Sequence, residues 1–427
     1  MRSWMILGLA ITLSAAAQTQ ASAEAELAQA MRLIGQGEFA QAEQKLRAIE
    51  KAHPGLFEVR YRLGLVLMRQ GKLQEASPRL EAAVQQAPSS AAAWLAAAQV
   101  RLKLEKRESA LAAAKRASEL APQEPMMWRT LSRFYSDAGE FPHALEFEEK
   151  FAAAKGETAE LYLVRGLAYR AAGKPADAVN ALQEAIRLAP QNWPAYAALA
   201  ALFLDHRTPE PVVALLQAAP KPFTNIAEYH RMLGLAYYQT GKRDQAIDEF
   251  LAAVDLEPNS ELGYTSLETL LPDAGPRRAE LIRRFERLRS TQPKNSIGYF
   301  LLARGLALNG APPERVEPLL RRAILVEPKF WPAYHELGLM LETQGNTGEA
   351  VRMQERVAKL KHDHAPAHFA LSRLYAKQGN RTLAVAHRKR HAELLERERE
   401  AAARARQANP ALNYRLESGA GIASPRN

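Results

Sequence analysis

Histidine is the residue type in this chain whose spacing points most directly to metal chemistry. Two groups are close in sequence: His362, His364 and His368 beside Asp363, and His387 with His391. A metal ion needs three or four ligands that converge on one point. The first group falls where a turn is expected, and the second flanks Arg388, Lys389 and Arg390, which repel a cation. We therefore expect a solvated turn and a charged helix surface, with no metal site.

Other catalytic and cofactor motifs are absent from the sequence. The 427 residues include no cysteine, which excludes disulfides, thiolate zinc sites, iron–sulfur clusters and a cysteine nucleophile. The chain has no glycine-rich phosphate loop, no His-Glu-x-x-His signature and no Gly-x-Ser-x-Gly nucleophile elbow. The sequence therefore predicts no cofactor and no enzymatic activity, which leaves a binding surface as the functional element.

A repeat with a period of 34 residues organises the chain. Small apolar residues recur at this interval in two runs: Ala42, Ala76, Ala110, Ala144, Ala178, Val212 and Ala246, then Val316, Ala350 and Ala384. The step from Ala246 to Val316 is 70 residues, so two extra residues lie between the runs. In most repeats a glycine lies five residues before the small residue and a proline lies twelve after it.

The residue types in these columns predict two short helices in each repeat. Apolar residues with 3–4 spacing lie between the small residue and the proline, which is typical of an amphipathic helix. The glycine supplies the left-handed conformation that ends the preceding helix, and the proline cannot continue a helix. A second glycine column, at Gly64, Gly166, Gly234 and Gly338, lies inside the first helices. Glycine there costs about 1 kcal/mol of helix propensity, which indicates a close helix–helix approach.

This pattern resembles the tetratricopeptide repeat, and the match is clearest at 57–90, 159–192 and 227–260. The resemblance implies an all-α fold, a right-handed superhelical solenoid of antiparallel helix pairs over residues 24–398. The expected repeats are 23–56, 57–90, 91–124, 125–158, 159–192, 193–226, 227–260, 261–296, 297–330, 331–364 and 365–398. Residues 399–427 are expected to form the end of a capping helix and a disordered tail.

Two repeats depart from the pattern. Repeat 193–226 lacks the turn glycine and carries four prolines: Pro209, Pro211, Pro220 and Pro222. Repeat 261–296 contains Pro272 and Pro276 and is assigned both extra residues. Irregular repeats bend a solenoid locally. They are also where an enzyme or small-ligand site would lie, which is the alternative to a protein-interaction function.

The motif Trp-Pro-Ala-Tyr occurs twice, at 193–196 and at 331–334. Proline in the first turn of a helix is favourable, because the N–H that it lacks has no partner there. We expect both copies to begin a helix and to contribute to packing.

In the family that the chain resembles, the first helix of each repeat lines a concave groove that binds peptides or protein segments. The resemblance therefore implies inward-facing side chains at places 2, 5, 9 and 12 of a repeat. The candidate partner-binding residues are Tyr61, Leu65, Gln99, Arg129, Arg133, Arg170, Arg231, Tyr238, His335 and Arg373. Arg129, Arg133 and Arg170 would form an anion site if they converge, or each would pair with a neighbouring glutamate. We expect a protein or peptide partner, and these arginines favour an acidic one.

The first 23 residues have the pattern of a signal peptide. Arg2 precedes an apolar run from Trp4 to Ala17, which is too short to cross a bilayer as a helix. Ala21-Ser22-Ala23 has the small-x-small form of a signal-peptidase site, which predicts cleavage before Glu24. We expect an exported protein, periplasmic or alternatively secreted, with no membrane span in the mature chain.

The net charge of +10 includes basic clusters at 277–294 and 388–406. Such clusters could contact nucleic acid, but export and the interspersed acidic residues argue against that partner. Solvated helix faces are the favoured interpretation. The combined prediction is an exported scaffold that binds peptide or protein segments and organises envelope proteins.

Overall fold

A computed structural model of the chain describes residues 24–120 and 123–408, and every regular element in these ranges is a helix. The predicted signal peptide (1–23) and tail (409–427) lie outside the described residues. The all-α fold class is confirmed. Contacts divide the chain into two compact segments, Met1–Lys174 and Pro175–Asn427.

Each repeat consists of a first helix followed by a second helix. The first helices are 24–35 (α1), Phe57–Arg69 (α3), Ala91–Lys103 (α5), Pro125–Asp137 (α7), Ala159–Ala171 (α9), Trp193–Asp205 (α11), Ala227–Gln239 (α13), Glu261–Leu270 (α15), Ser296–Leu308 (α17), Trp331–Thr343 (α19) and Ala365–Lys377 (α21). The second helices are Phe39–Ala52 (α2), Leu73–Gln86 (α4), Arg107–Leu120 (α6), Phe141–Lys155 (α8), Pro175–Leu188 (α10), Pro209–Gln217 (α12), Arg243–Leu256 (α14), Arg278–Thr291 (α16), Pro313–Val326 (α18), Thr347–Leu360 (α20) and Arg381–Ala408 (α22). Short 3-10 turns occupy Lys221–Asn225, Leu271–Asp273 and Gly275–Arg277.

The turn between the two helices of a repeat needs one residue in the left-handed conformation. The turn glycines, of which Gly71 is an example, have φ between +68° and +82°. Glu105 and Arg207 occupy the same place in their repeats at φ +60° and +54°. At Glu105 the backbone bonds match those at Gly71: the residue donates to the carbonyl three before it, and the next N–H reaches back five. The glycine is therefore replaceable in this turn, at a cost in backbone strain.

The small residues of the 34-residue column are buried where helices meet. Ala42, Ala76, Ala110, Ala144, Ala178, Ala246 and Ala350 are all 0% exposed. The interior glycines have the close contacts that the sequence predicts: a Cβ on Gly64 would lie 2.6 Å from Leu80, and one on Gly234 would lie 2.7 Å from Phe250. Small residues in these columns thus allow the paired helices to approach.

Prolines shorten the elements of the two irregular repeats. Helix α12 has nine residues, and the 3-10 turn that contains Pro222 follows it. Helix α15 has ten residues and ends just before a 3-10 turn that contains Pro272. Proline removes a backbone donor, so each helix gives way to a tighter turn.

The assignment of both extra residues to repeat 261–296 is wrong. Helix α17 begins at Ser296, one residue earlier than the predicted boundary at 297, and α19 begins at Trp331. The intervals from Glu261 to Ser296 and from Ser296 to Trp331 are therefore 35 residues each. The second extra residue lies in the turn 309–312, which has four residues where the turn 70–72 has three.

No helix of the described residues has both the length and the apolar composition required to cross a membrane.

Candidate functional site

Three successive first helices, α15, α17 and α19, line a cleft of about 420 Å³ in the C-terminal segment. We call it the aromatic cleft; its lining is Thr265, Glu268, Ile297, Phe300, Arg304, Phe330, Trp331, Pro332, His335, Glu336 and His364. Trp331 and Pro332 start α19, and His364 precedes α21 as its N-cap. The cleft therefore collects side chains from helix starts as well as helix faces.

Arg304 is the central charged group of the aromatic cleft. Its Nη1 donates to Oε1 of Glu268 on α15, and its Nε lies 3.2 Å from Oε1 of Glu336 on α19. Its Cζ lies 5.8 Å from the centre of the Phe300 ring. The guanidinium thus joins three first helices through two carboxylates, and all three charged side chains remain about a quarter to a third exposed. Such partly exposed groups can exchange partners with a ligand.

Aromatic rings and histidines form the other wall. Trp331 and His364 have ring centres 4.5 Å apart, and His364 meets His335 edge-to-face at 4.8 Å. The Nε2 atom of His364 is buried and has no hydrogen-bond partner among the described residues. Burial, reinforced by His335, lowers the pKa of His364 to about 4. His364 is therefore neutral at pH 7.

The orientation of His335 depends on a glycine one turn away. Gln354, which is 0% exposed, donates from Nε2 to the carbonyl of His335, and its Oε1 accepts from His335 Nδ1 at 2.9 Å. A Cβ on Gly338 would lie 2.5 Å from Gln354 Nε2. The absence of a side chain at Gly338 thus makes room for the amide that holds His335.

Two further cavities adjoin the aromatic cleft. One, of about 720 Å³, shares Ile297 and Phe330 with it; we call it the outer cleft, and its other lining residues are Glu261, Gln292, Pro293, Lys294, Asn295, Ser296 and Glu327. The other, of about 270 Å³, shares Arg304 and Glu336 and is otherwise mainly apolar, with Leu339 and Met340 in its wall. The three cavities share lining residues and so form one continuous surface, which is longer than a single side chain.

Most of the predicted groove residues lie elsewhere. In the N-terminal segment Tyr61 is half-buried and stacks on Phe57 at 5.7 Å. The other predicted residues of that segment are Leu65 and Gln99, both half-buried, and Arg129, Arg133 and Arg170 on α7 and α9. Arg129 lies over the Phe151 ring at 4.6 Å, and its charge opposes the rise in pKa that burial imposes on Glu148. Arg129 therefore has neighbours within its own repeat.

In the C-terminal segment His335 is the predicted residue that the aromatic cleft includes. Arg231 lies 3.5 Å from Glu228, and Arg373 lies 2.8 Å from Glu342 with its guanidinium over Phe369. Tyr238 is 38% exposed at the end of α13. These three side chains lie on first helices but outside the lining of the cleft.

The histidines singled out in sequence do not gather around one point. His368 Nδ1 lies 2.9 Å from His387 Nδ1, and His391 Nδ1 lies 3.0 Å from the carbonyl oxygen of Ala365. His362 is exposed, whereas His364 belongs to the aromatic cleft. Over residues 24–120 and 123–408 no group of three or more His, Cys, Asp or Glu side chains is arranged to hold a metal ion.

Three arginines of the basic cluster at 277–294 pair with two carboxylates of α14. Arg277 lies 2.7 Å from Asp248, and Arg284 and Arg287 lie 2.7 and 2.9 Å from Asp255. In the cluster at 388–406, arginines pair with glutamates of the same helix, as at Arg390 and Glu393. These arginines therefore have acidic partners within the chain.

A register error explains why sequence reasoning missed the main cleft residues. Counted from the true start of α17 at Ser296, places 2, 5 and 9 are Ile297, Phe300 and Arg304. All three line the aromatic cleft. Trp331 was expected only to begin a helix and to pack, yet it also forms a wall of the cleft. The signal in the sequence that could have corrected the register is the segment Gly310-Ala311-Pro312-Pro313, which falls at the four-residue turn 309–312.

Comparison with known proteins gives distant relatives. The peroxisomal targeting signal receptor of Pichia angusta is 28% identical over 216 residues, which are 50% of this chain and 33% of the receptor. The chain thus spans about a third of the length of the curated relatives that it matches. Among solved structures, a tetratricopeptide repeat protein of Parabacteroides merdae is 19% identical with a TM-score of 0.49, covering 58% of this chain and 98% of that one. Yeast Tom70 is 16% identical with a TM-score of 0.44, covering 90% of this chain and 95% of that one.

Matches to models of protein families assign the chain to a family directly. Models described as tetratricopeptide repeat match residues 27–91, 67–134, 169–235, 227–260 and 333–362. Together these segments cover more than half of the chain. The matched residues fall on the alternating helices described above. The chain therefore belongs to the tetratricopeptide repeat family.

Proposed function

We propose that this protein is a non-enzymatic interaction protein that binds an extended peptide or protein segment along α15, α17 and α19. The observation that carries the proposal is the aromatic cleft itself, in which Arg304 stands between two carboxylates and the half-buried rings of Phe330 and Trp331 line the same cavity. Aromatic and arginine side chains dominate the binding energy of many protein interfaces. An extended segment suits a surface that continues into two adjoining cavities.

The curated relatives support this proposal by their description. They are receptors for a peroxisomal targeting signal, and the similarity covers half of this chain. A receptor for a signal within another protein is a protein-binding molecule, so the same class of ligand is proposed here.

Selection from a displayed library of peptides tests the proposal. The full chain is compared with Trp331→Ala, and Trp193→Ala is the matched control because both tryptophans begin a Trp-Pro-Ala-Tyr motif. We expect selected peptides to bind the Trp331→Ala variant about tenfold more weakly and to bind the control as they bind the wild type. Equal affinity for all three folded proteins would move the site away from the aromatic cleft.

We further propose that the protein is exported and acts in the organisation of envelope proteins, in the periplasm or as a secreted protein. The support is the signal-peptide pattern of residues 1–23. Expression in a bacterial host followed by fractionation and N-terminal sequencing tests it. The expected mature chain begins at Glu24 in the exported fraction, and an intact Met1 in the cytoplasm would contradict the proposal.

A further inference from the structure

The charge of the cleft surface is opposite to that of the whole protein. The chain carries a net charge of +10. The aromatic and outer clefts are lined by four carboxylates and two cations: Glu261, Glu268, Glu327 and Glu336, with Lys294 and Arg304. The negative charge of the two clefts therefore comes from the local placement of their glutamates, because the composition of the whole chain is basic.

In the aromatic cleft two carboxylates share one cation. Glu268 and Glu336 both contact Arg304, so one negative charge remains uncompensated between them. The neighbouring His364 adds no positive charge at neutral pH, because burial lowers its pKa to about 4. The rings of Trp331 and Phe300 line the same cleft, and aromatic faces attract cations.

In the outer cleft the carboxylates are held by neutral donors. Glu261 accepts from Asn295 Nδ2 at 2.9 Å, and Glu327 accepts from Ser296 Oγ at 2.5 Å. Neither of these bonds compensates the charge of the carboxylate. Both glutamates are exposed, so a cation from a ligand can approach them.

We infer that the occupant of these clefts is a basic peptide segment, whose lysine or arginine side chains enter between the carboxylates and the aromatic rings. The inference rests on the proposed function and specifies the chemistry of its ligand. The ligand inferred here is basic, whereas Arg129, Arg133 and Arg170 in the sequence favour an acidic partner. Complementary charge would set the register of the segment and raise its association rate at low salt.

Three labelled peptides test the inference by fluorescence anisotropy with the full chain. They share one leucine- and serine-containing framework and carry arginine, glutamine or glutamate at the same positions. We expect the arginine peptide to bind at least about tenfold more tightly than the glutamate peptide, with weaker binding as salt increases. Tighter binding of the glutamate peptide, or no binding of the arginine peptide up to about 1 mM, would overturn the inference.

Two double variants and a matched control locate the effect. Glu268→Gln with Glu336→Gln removes the carboxylates of the aromatic cleft, and Glu261→Gln with Glu327→Gln removes those of the outer cleft without touching Arg304. The control is Glu317→Gln with Glu349→Gln, because these two carboxylates flank Arg321 on second helices in the same way, at 2.7 and 2.8 Å. We expect both cleft variants to lose about tenfold in affinity for the arginine peptide and the control to be unchanged. An equal loss in the control would mean that only the total charge matters.

The outcome separates this inference from the proposed function. If the peptide library yields ligands that need Trp331 but are uncharged or acidic, the basic-segment inference fails and the interaction function stands. If binding of the selected ligands does not depend on Trp331, the proposed binding site is wrong, and the inference about its ligand falls with it.

Discussion

The imidazole Nδ1 of His230 on α13 lies 2.6 Å from Oε2 of Glu249 on α14, nineteen residues later in the chain. Two further histidine contacts have the same interval and join a first helix to its own second helix: His335 with Gln354 at 2.9 Å, and His368 with His387 at 2.9 Å. One geometric position of the helix pair thus holds an imidazole–carboxylate pair, an imidazole–amide pair and a pair of imidazoles. The pKa of His230 is raised, whereas the pKa values of His368 and His387 are lowered.

The first prediction concerns the pair of His230 and Glu249. The Glu249 carboxylate raises the pKa of His230, against the opposing effect of burial, and the Thr224 carbonyl accepts from the other ring nitrogen at 2.8 Å. Because the folded pKa is above the unfolded value of about 6.5, the stabilisation is complete below that pH and is lost as pH rises through the folded pKa. We expect the Tm advantage of the wild type over His230→Gln to shrink between about pH 6 and pH 9.

His143→Gln is the control for this measurement, since His143 is a surface histidine 3.9 Å from Glu140. Its Tm difference from the wild type should vary less with pH. A wild-type advantage at His230 that grows with pH would contradict the proposed ion pair.

The second prediction concerns His368 and His387, which respond in the opposite direction. Burial lowers the pKa of both rings, and Arg390 and His391 further disfavour a charge on His368. The other groups near His387 are the Tyr375 ring and the Glu355 carboxylate, which opposes the lowering. Both folded pKa values lie below about 6.5, so their stabilisation is present above that pH and is lost as pH falls through the folded values.

Amide hydrogen exchange of α22 between about pH 7 and pH 5 measures this effect after correction for the intrinsic exchange rate. We expect protection of the first turns of α22 to fall on acidification in the wild type and to fall less in His387→Gln, which keeps a polar group beside His368. Equal pH dependence in both proteins would exclude the histidine pair as the cause.

The third prediction concerns the close approach at Gly234. A Cβ there would lie 2.7 Å from the Phe250 ring and 3.2 Å from Cβ of Glu249. We expect Gly234→Ala to destabilise the protein by about 1–3 kcal/mol in urea denaturation, because a rigid ring must move. Gly348→Ala is the control: nothing lies within 4 Å of its added Cβ, so that variant should gain up to about 1 kcal/mol from helix propensity. A neutral Gly234→Ala would show that α13 and α14 separate at little cost.

The fourth prediction concerns the strained turn at Glu105. This exposed residue has φ +60° where other repeats have glycine. We expect Glu105→Gly to stabilise the protein by about 1 kcal/mol, since glycine adopts that conformation without steric cost. The reverse change in a regular repeat, Gly71→Ala at φ +75°, should destabilise it by a similar amount. A loss of stability in Glu105→Gly would mean that the glutamate side chain stabilises the turn.

The helix pairs could be predicted from sequence because every repeat provides the same evidence. Ala246, for example, recurs in a column of buried small residues, and Gly234 recurs at a close helix contact. Each column constrains the others, so an error in one repeat is corrected by its neighbours. The all-α class and the turn conformation followed from these columns.

The aromatic cleft could not be predicted in the same way, because it depends on features that are not repeated. Its central group, Arg304, contacts carboxylates from the preceding and the following repeats. Its register depends on how two extra residues are divided between two turns, and nothing periodic in the sequence determines that division. His335 was found because its repeat keeps the regular spacing, whereas Phe300 and Arg304 were missed because theirs does not.

The two 35-residue intervals also affect how this chain can be aligned with related proteins. Residues 261–332 lie between two segments that the family models match, and they contain both intervals and most of the cleft lining. An alignment built on a constant period places Ile297, Phe300 and Arg304 opposite residues of another helical face. An alignment counted from each helix start places them opposite their structural counterparts. The divergence of this site among related proteins must therefore be measured helix by helix, in a stretch that lies between two matched segments.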